Sequence, residues 1–302
     1  MSNTPQIRGL DNRVKSVQNE EKVLNALHRF GWLPVRQVAA FCWPDDATPR
    51  SAQRSLQHLL GKKQVIFKQG PDGSRVYTMT AGGVRRVRDA MGLDAEFDTE
   101  FSRRIEHSFE HRCLANEVVM WWASAQADSR GAFFTENEVI CGRAPLRAAP
   151  QYMSTAKGKI PDALLTMDAP GSAQESGDKW LGWVEVERGH KNKADHQNMV
   201  GALCDILALG TQRWEIGVRS VLKFGVVVCP RATHEHRLVE GLLEYLGAHR
   251  GTYDTTYAVS NLHIWRPATG NGVSVREWVD ERPEMLALRD KLRLWWPPVP
   301  KA

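Results

Sequence analysis

Three carboxylates fall within a short part of the chain: Asp162 in KIPDALLTMD, and Glu185 and Glu187 in WLGWVEVERGH. Side chains alternate along a strand, so Trp183, Glu185 and Glu187 share one face while Val184 and Val186 take the other. Two carboxylates at i and i+2 then sit roughly 7 Å apart. Half-buried among tryptophans they would repel each other, and they stay ionised only with cations nearby. A basic run follows at once, Arg188-Gly189-His190-Lys191-Asn192-Lys193. Hard carboxylate oxygens suit Mg²⁺ or Mn²⁺, which activate water and neutralise a phosphate in transit. Lys191 and Lys193 could stabilise the charge that builds on a phosphorane-like transition state. The plain alternative is a strand edge whose charges face solvent.

The elements that must position these groups can be read from pattern. One strand is expected from about Pro161 to Met167 and a second from Trp180 to Arg188. Between them DAPGSAQESGD, rich in Gly, Ser and Ala, reads as a hairpin loop. Such a hairpin lays the Asp162 strand beside the Glu185 strand and makes the three carboxylates one acidic cluster. ADHQNMVGALCDILAL is an amphipathic helix, KFGVVVCP a buried strand ended by Pro230, THEHRLVEGLLEYLGAHR another helix, and NLHIWRP a last strand. Hairpin, helix, strand, helix, strand predicts a mixed sheet covered by helices. Upstream, a helix-rich stretch from about Glu96 to Ala127 contains HSFEHRCLANEVVMWWASA, whose stripe of Phe109, Cys113, Leu114, Val118, Met120, Trp121 and Trp122 suits a helix running over that sheet. On it His107 and His111 lie four apart, a spacing that can bind zinc, yet no third ligand has an obvious place.

The N-terminal part reads differently. EEKVLNALHRF places Val23, Leu24, Leu27 and Phe30 at helical spacing, and Pro34 opens a second short helix, VRQVAAF. Thr48 is expected to cap a third helix with Pro49 at its first position. That helix, PRSAQRSLQHLLGKK, buries Ala52, Leu56, Leu59 and Leu60 and displays Arg50, Gln53, Arg54, Gln57, Lys62 and Lys63. Two strand-like runs, QVIFKQ and SRVYTMT, are joined by the turn Pro71-Asp72-Gly73. Three helices and a hairpin predict a winged helix-turn-helix, whose third helix could offer Arg and Gln to guanine and adenine edges. Lys68 and Arg75 on the wing could meet phosphates. A winged helix used for protein contacts is the competing reading.

Charge placement favours DNA. Residues 1–93 carry 15 Lys+Arg against 7 Asp+Glu, a net of +8, and the remaining 25 basic and 28 acidic residues give −3. A basic module joined to a mildly acidic one fits a nucleic-acid anchor attached to something else. At 302 residues two domains are expected, 1–93 and 94–302. Five scattered cysteines without a CxxC argue against a disulfide framework or a thiolate zinc site. No run approaches the roughly 18 apolar residues of a membrane helix, and the N-terminus lacks an apolar signal core, so a cytoplasmic protein with no membrane insertion is expected.

Pro161-Asp162, then E-x-E with trailing lysines, resembles the PD-(D/E)XK nuclease superfamily. A winged helix ahead of PDALL…VEVERGHKNK more narrowly resembles the replication-relaxation family, which includes MobC-type relaxases of mobilisable plasmids. The resemblance spans about residues 20 to 265. It implies an α+β chain, with the winged helix-turn-helix followed by a PD-(D/E)XK-like α/β/α core. It implies metal-dependent nicking of one DNA strand at a transfer origin, in a bacterial cytoplasm. Relaxosome accessory or coupling proteins, and a second copy of the chain, would be further partners. By position Asp162 and Glu185 would hold Mg²⁺ or Mn²⁺, while Glu187 stands where the pattern expects Lys, so that Lys191 or Lys193 would have to supply the missing charge. The helix bearing Glu110, His111 and Glu117 would contribute to the same pocket.

Two other classes stay open: a non-catalytic replication or transcription regulator on a decayed nuclease fold, and a host-defence or transposon endonuclease with the same core. Relaxases built on a His-hydrophobe-His pair fit poorly, because His234-Glu235-His236 has the wrong middle residue. The tail EMLALRDKLRLWWPPVP could dock on the core or offer a partner an aromatic hook.

Overall fold

A computed structural model describes residues 8–46, 48–95, 101–125, 133–144, 160–168, 179–187, 193–209, 220–248, 259, 261–267 and 271–274. The chain is α+β with two sheets, and it divides into two compact units, Met1–Cys113 and Leu114–Ala302. The division falls inside a long helix, downstream of the 93/94 boundary expected from sequence.

The first unit begins with α1 (Arg8–Phe30), β1 (Trp32–Pro34), α2 (Val35–Cys42) and α3 (Arg50–Gly61). Val23, Leu24, Leu27 and Phe30 are wholly buried, and the Phe30 ring meets Phe41 of α2 edge-on at 5.1 Å. Helix α3 starts one residue later than expected, and Thr48 does not cap it. Thr48 instead gives its amide and hydroxyl to Oδ1 of Asp46, whose Oδ2 accepts the Ser51 hydroxyl at 2.8 Å, so Asp46 organises the turn. The hairpin of β2 (Val65–Gln69) and β3 (Arg75–Met79) turns through Gly73, at φ +78°. Strand β3 is central, with β1 and β2 antiparallel on either side. Helix α4 (Ala81–Met91) then runs from the Thr80 hydroxyl, which accepts the Gly83 amide, to Gly92 in the left-handed region. Gly83 is required there: a Cβ would lie 2.1 Å from the Gln64 carbonyl oxygen.

Glu20 of α1 ties this unit together. Only 1% exposed, it accepts Lys62 at 2.7 Å on both oxygens and Arg86 at 2.6 Å, and Arg86 also reaches Gln64 at 2.9 Å. Burial by itself would raise this carboxyl, but the hydrogen bonds and charges of Lys62 and Arg86 hold it below its ordinary value.

Helix α5 (Phe101–Ala125) contributes to both units. In the first, Ile105, Phe109 and Cys113 pack with Trp32 and Val76, and the Phe109 and Trp32 rings stack at 5.9 Å. In the second unit the sheet is six-stranded, in the order β4 (Phe133–Thr135), β5 (Ala163–Asp168), β6 (Lys179–Val186), β7 (Ser220–Val228), β8 (Leu262–Arg266) and β9 (Asn271–Ser274). Strands β6, β7 and β8 run parallel and the remaining neighbours antiparallel. The parallel crossovers carry α7 (Lys193–Leu209) and α8 (Ala232–Ala248), while a short α6 (Glu136–Ile140), closed by a Thr135/Glu138 capping box, follows β4.

Both faces of this sheet are covered, as its parallel centre requires. Leu181, Trp183, Val227 and Ile264 pack with Leu203 of α7 and Leu238 and Leu242 of α8. On the other face Trp122 of α5 donates its indole N–H to the Thr166 carbonyl at 3.1 Å, and its ring lies 5.7 Å from Phe224. Phe224 lies across Gly182 of β6, where a Cβ would come within 2.1 Å of the ring, and the β6–β7 register shifts at that point.

Candidate functional site

Antiparallel pairing sets Ala163 opposite Val184, so the residue before β5, Asp162, stands opposite Glu185. The Asp162 amide donates to the Val184 carbonyl at 2.9 Å, and its Oδ2 accepts the Val186 amide at 2.7 Å. Asp162 and Glu185 are each 8% exposed and Glu187 is 0% exposed. The solvent-facing alternative is therefore excluded for all three: these carboxylates lie inside the sheet's cover.

Glu187 extends the face that carries Trp183, and its amide donates to the Val228 carbonyl at 2.9 Å. The next residue of that neighbouring strand, Cys229, donates its amide to the Trp265 carbonyl at 2.9 Å. Arg266, at the end of β8, forks onto Glu235 of the first turn of α8, with Nε–Oε1 2.9 Å and Nη2–Oε2 3.1 Å. The carboxyl ends of the three parallel strands thus carry Glu187, Cys229 and Arg266, and α8 adds a 4%-exposed Glu235. Burial, then the Glu235 and Glu187 carboxylates, push the Cys229 thiol well above its usual value, with Arg266 opposing.

Among the described residues no group of three or more His, Cys, Asp or Glu side chains is placed to hold a metal ion. Asp162 and Glu185 remain a facing pair of hard donors, a number that suits Mg²⁺ or Mn²⁺ completed by water and phosphate oxygens. Lys191 lies outside the described residues, as do the loop 169–178 and the tail beyond 274, and Lys193 is described only as the first residue of α7. His111 is half-buried on the part of α5 that belongs to the first unit, whereas the carboxylates belong to the second. In the His234-Glu235-His236 stretch, His234 is buried and His236 exposed, so the two imidazoles diverge. The Glu235–Arg266 fork escaped sequence reading; an arginine closing the mostly apolar strand LHIWR was the available signal.

The surface residues expected to meet DNA separate into two groups. Arg50, Gln53, Arg54 and Gln57 are exposed along α3, and Lys63 is exposed just past it, with φ 55°. Lys62 is committed to Glu20 and Lys68 to Glu106. Arg75 lies over the Phe67 ring, 4.9 Å from its centroid.

Comparison of the chain with family models, with curated proteins and with solved structures finds no match. Among the described residues no helix is long and apolar enough to cross a membrane.

Proposed function

We propose that the first unit is a winged helix-turn-helix that binds duplex DNA, and that the second is a PD-(D/E)XK-like domain that cuts one strand with Mg²⁺ or Mn²⁺. The transfer-origin relaxase is the particular form of this reading. The observation that carries it is the buried Asp162 held opposite Glu185 at the start of the β5–β6 pair. Hard carboxylate oxygens set side by side suit a divalent Mg²⁺ or Mn²⁺, whose charge would offset their mutual repulsion. The bound metal would polarise a phosphodiester and lower the pKa of its water. The chain's own part is to fix the donors: Val186 holds one Asp162 oxygen through its amide, and the sheet register sets Glu185 against it. The exposed Arg and Gln side chains of α3, on a basic module, support the DNA contact.

Nicking of a supercoiled plasmid with Mg²⁺ or Mn²⁺ tests the enzyme. Wild type should convert it to open circle, and a double variant, Asp162→Asn with Glu185→Gln, should not. Identical profiles for the two proteins would remove the catalytic reading. Cleavage at random sites would remove the transfer origin while leaving a nuclease.

A non-catalytic DNA-binding regulator is the second reading, and Glu187 favours it. The pattern's lysine position holds a wholly buried carboxylate, and Arg266, a guanidinium at that end of the sheet, is forked onto Glu235. Sequence-selective duplex binding without nicking in either metal is the outcome it requires.

A further inference from the structure

In the first unit a groove of about 600 Å³ runs between α3 and the β2–β3 hairpin. Its size is that of a small-ligand site, which typically spans about 300–1,000 Å³. Gln53 and Gln57 of α3 form one wall, and Arg75 and Tyr77 of β3 the other. Val35 and Pro49 supply apolar surface, and Arg36 adds a second guanidinium. Among the described residues that line it there is no carboxylate, though the Arg36 charge acts on the Asp72 carboxylate of the hairpin turn, which leaves Arg75 as the principal cation. Phe67, opposite Tyr77 in the hairpin register, has its ring 5.6 Å from that of Tyr77 and is 44% exposed with Arg75 above it. The lining therefore asks for a ligand that is planar and apolar on its faces, hydrogen-bonding at its edge, and anionic.

We propose that this groove receives one unpaired nucleotide of a DNA strand. The base lies on the apolar floor, the Gln53 and Gln57 amides meet its edge with both donors and acceptors, and Arg75, assisted by Arg36, holds the phosphate. Tyr77 itself is buried, and the 44%-exposed Phe67 ring beside the groove offers a surface for the neighbouring base, the way single-strand binders gather unstacked bases. A track for duplex phosphates alone would need the guanidiniums but would leave the apolar floor without a function. The inference rests on the reading that the first unit binds DNA, and it adds that a locally unpaired strand is preferred.

Fluorescence anisotropy of the full chain tests this with three probes of one arbitrary sequence: an intact duplex, the same duplex with a single bulged thymine, and one with an abasic bulge. The thymine bulge should bind at least about fivefold tighter than the other two, the gain of stacking one base. Gln53→Trp, which fills the groove without touching the core, and Arg75→Ala should each erase that preference. Arg54→Ala should weaken all three probes alike. Equal affinity for the three probes, or a preference that survives Gln53→Trp, overturns the groove and leaves duplex binding standing. No binding to any probe overturns the DNA reading itself. Binding of thymidine monophosphate without a bulge preference would make the ligand a free nucleotide and also overturn the assignment to DNA.

Discussion

Asp162 accepts the Val186 amide through Oδ2 at 2.7 Å, so this carboxylate is part of the β5–β6 backbone as well as a candidate ligand. Removing it does two things at once. Asp162→Ala leaves a buried amide without its acceptor and should cost about 1–3 kcal/mol of stability. Asp162→Asn keeps an oxygen in place and should unfold near wild type while losing the charge. Denaturant unfolding of the two variants checks this; equal losses would mean that the hydrogen bond has no structural weight.

Glu20 gives the first unit a defined acid response. Its folded carboxyl is held below the ordinary 4.5, so the stabilisation is complete above that pH and is lost as pH falls through the folded value. Glu20→Gln should lower stability at neutral pH by about 2–3 kcal/mol, the worth of charged hydrogen bonds. The difference from wild type should close in strong acid. A gap that stayed constant from pH 7 to below 3 would show that the Lys62 and Arg86 pairs contribute nothing.

Gly182→Ala should disturb the second unit out of proportion to one methyl group. The new Cβ meets the Phe224 ring, and the ring cannot withdraw without leaving Trp122, so a cost of about 1–3 kcal/mol is expected. Near-ultraviolet circular dichroism should report the displaced tryptophan. Adding Phe224→Leu should recover part of the loss, and strict additivity of the two changes would contradict the contact.

Thiol labelling sorts four of the five cysteines. Cys141 is exposed and should react readily with a thiol reagent at neutral pH. Burial raises the Cys42 thiol to about 12 despite Lys22, and Cys204 and Cys229 are buried with their thiols raised well above the ordinary value. These three should label only on unfolding. Rapid labelling of Cys229 in the native chain would mean that Glu187 and Glu235 are not beside it.

The sequence carried the elements whose periodicity and punctuation agree, and lost those where tertiary contact overrides local preference. The β5–β6 pair was legible because a Gly- and Ser-rich loop separates two strands of fitting length. The buried face of α1 was legible because four apolar residues repeat at helical spacing. Helix α4 was not, since Gly82 and Gly83 argue against a helix, and Gly83 is there for the Gln64 carbonyl that passes above it. Strand β1 was too short to show alternation and exists because β3 pairs with it. For the site, spacing put Asp162 and Glu185 on one pair of strands, but it could not foresee that Lys62 and Lys68 answer to Glu20 and Glu106. Long-range ion pairs leave no periodic trace.

The larger sheet has a strand order identical to chain order, from β4 to β9. As the polypeptide leaves the ribosome, every strand after the first finds its neighbour already synthesised, and none has to be threaded between two earlier ones. Growth proceeds from a single side, so a nascent chain halted after β6 or β7 exposes one unfinished margin instead of a gap in the middle. Among the described residues the sheet ends at either margin in strands of three and four residues, short edges of the kind that resist templating another chain.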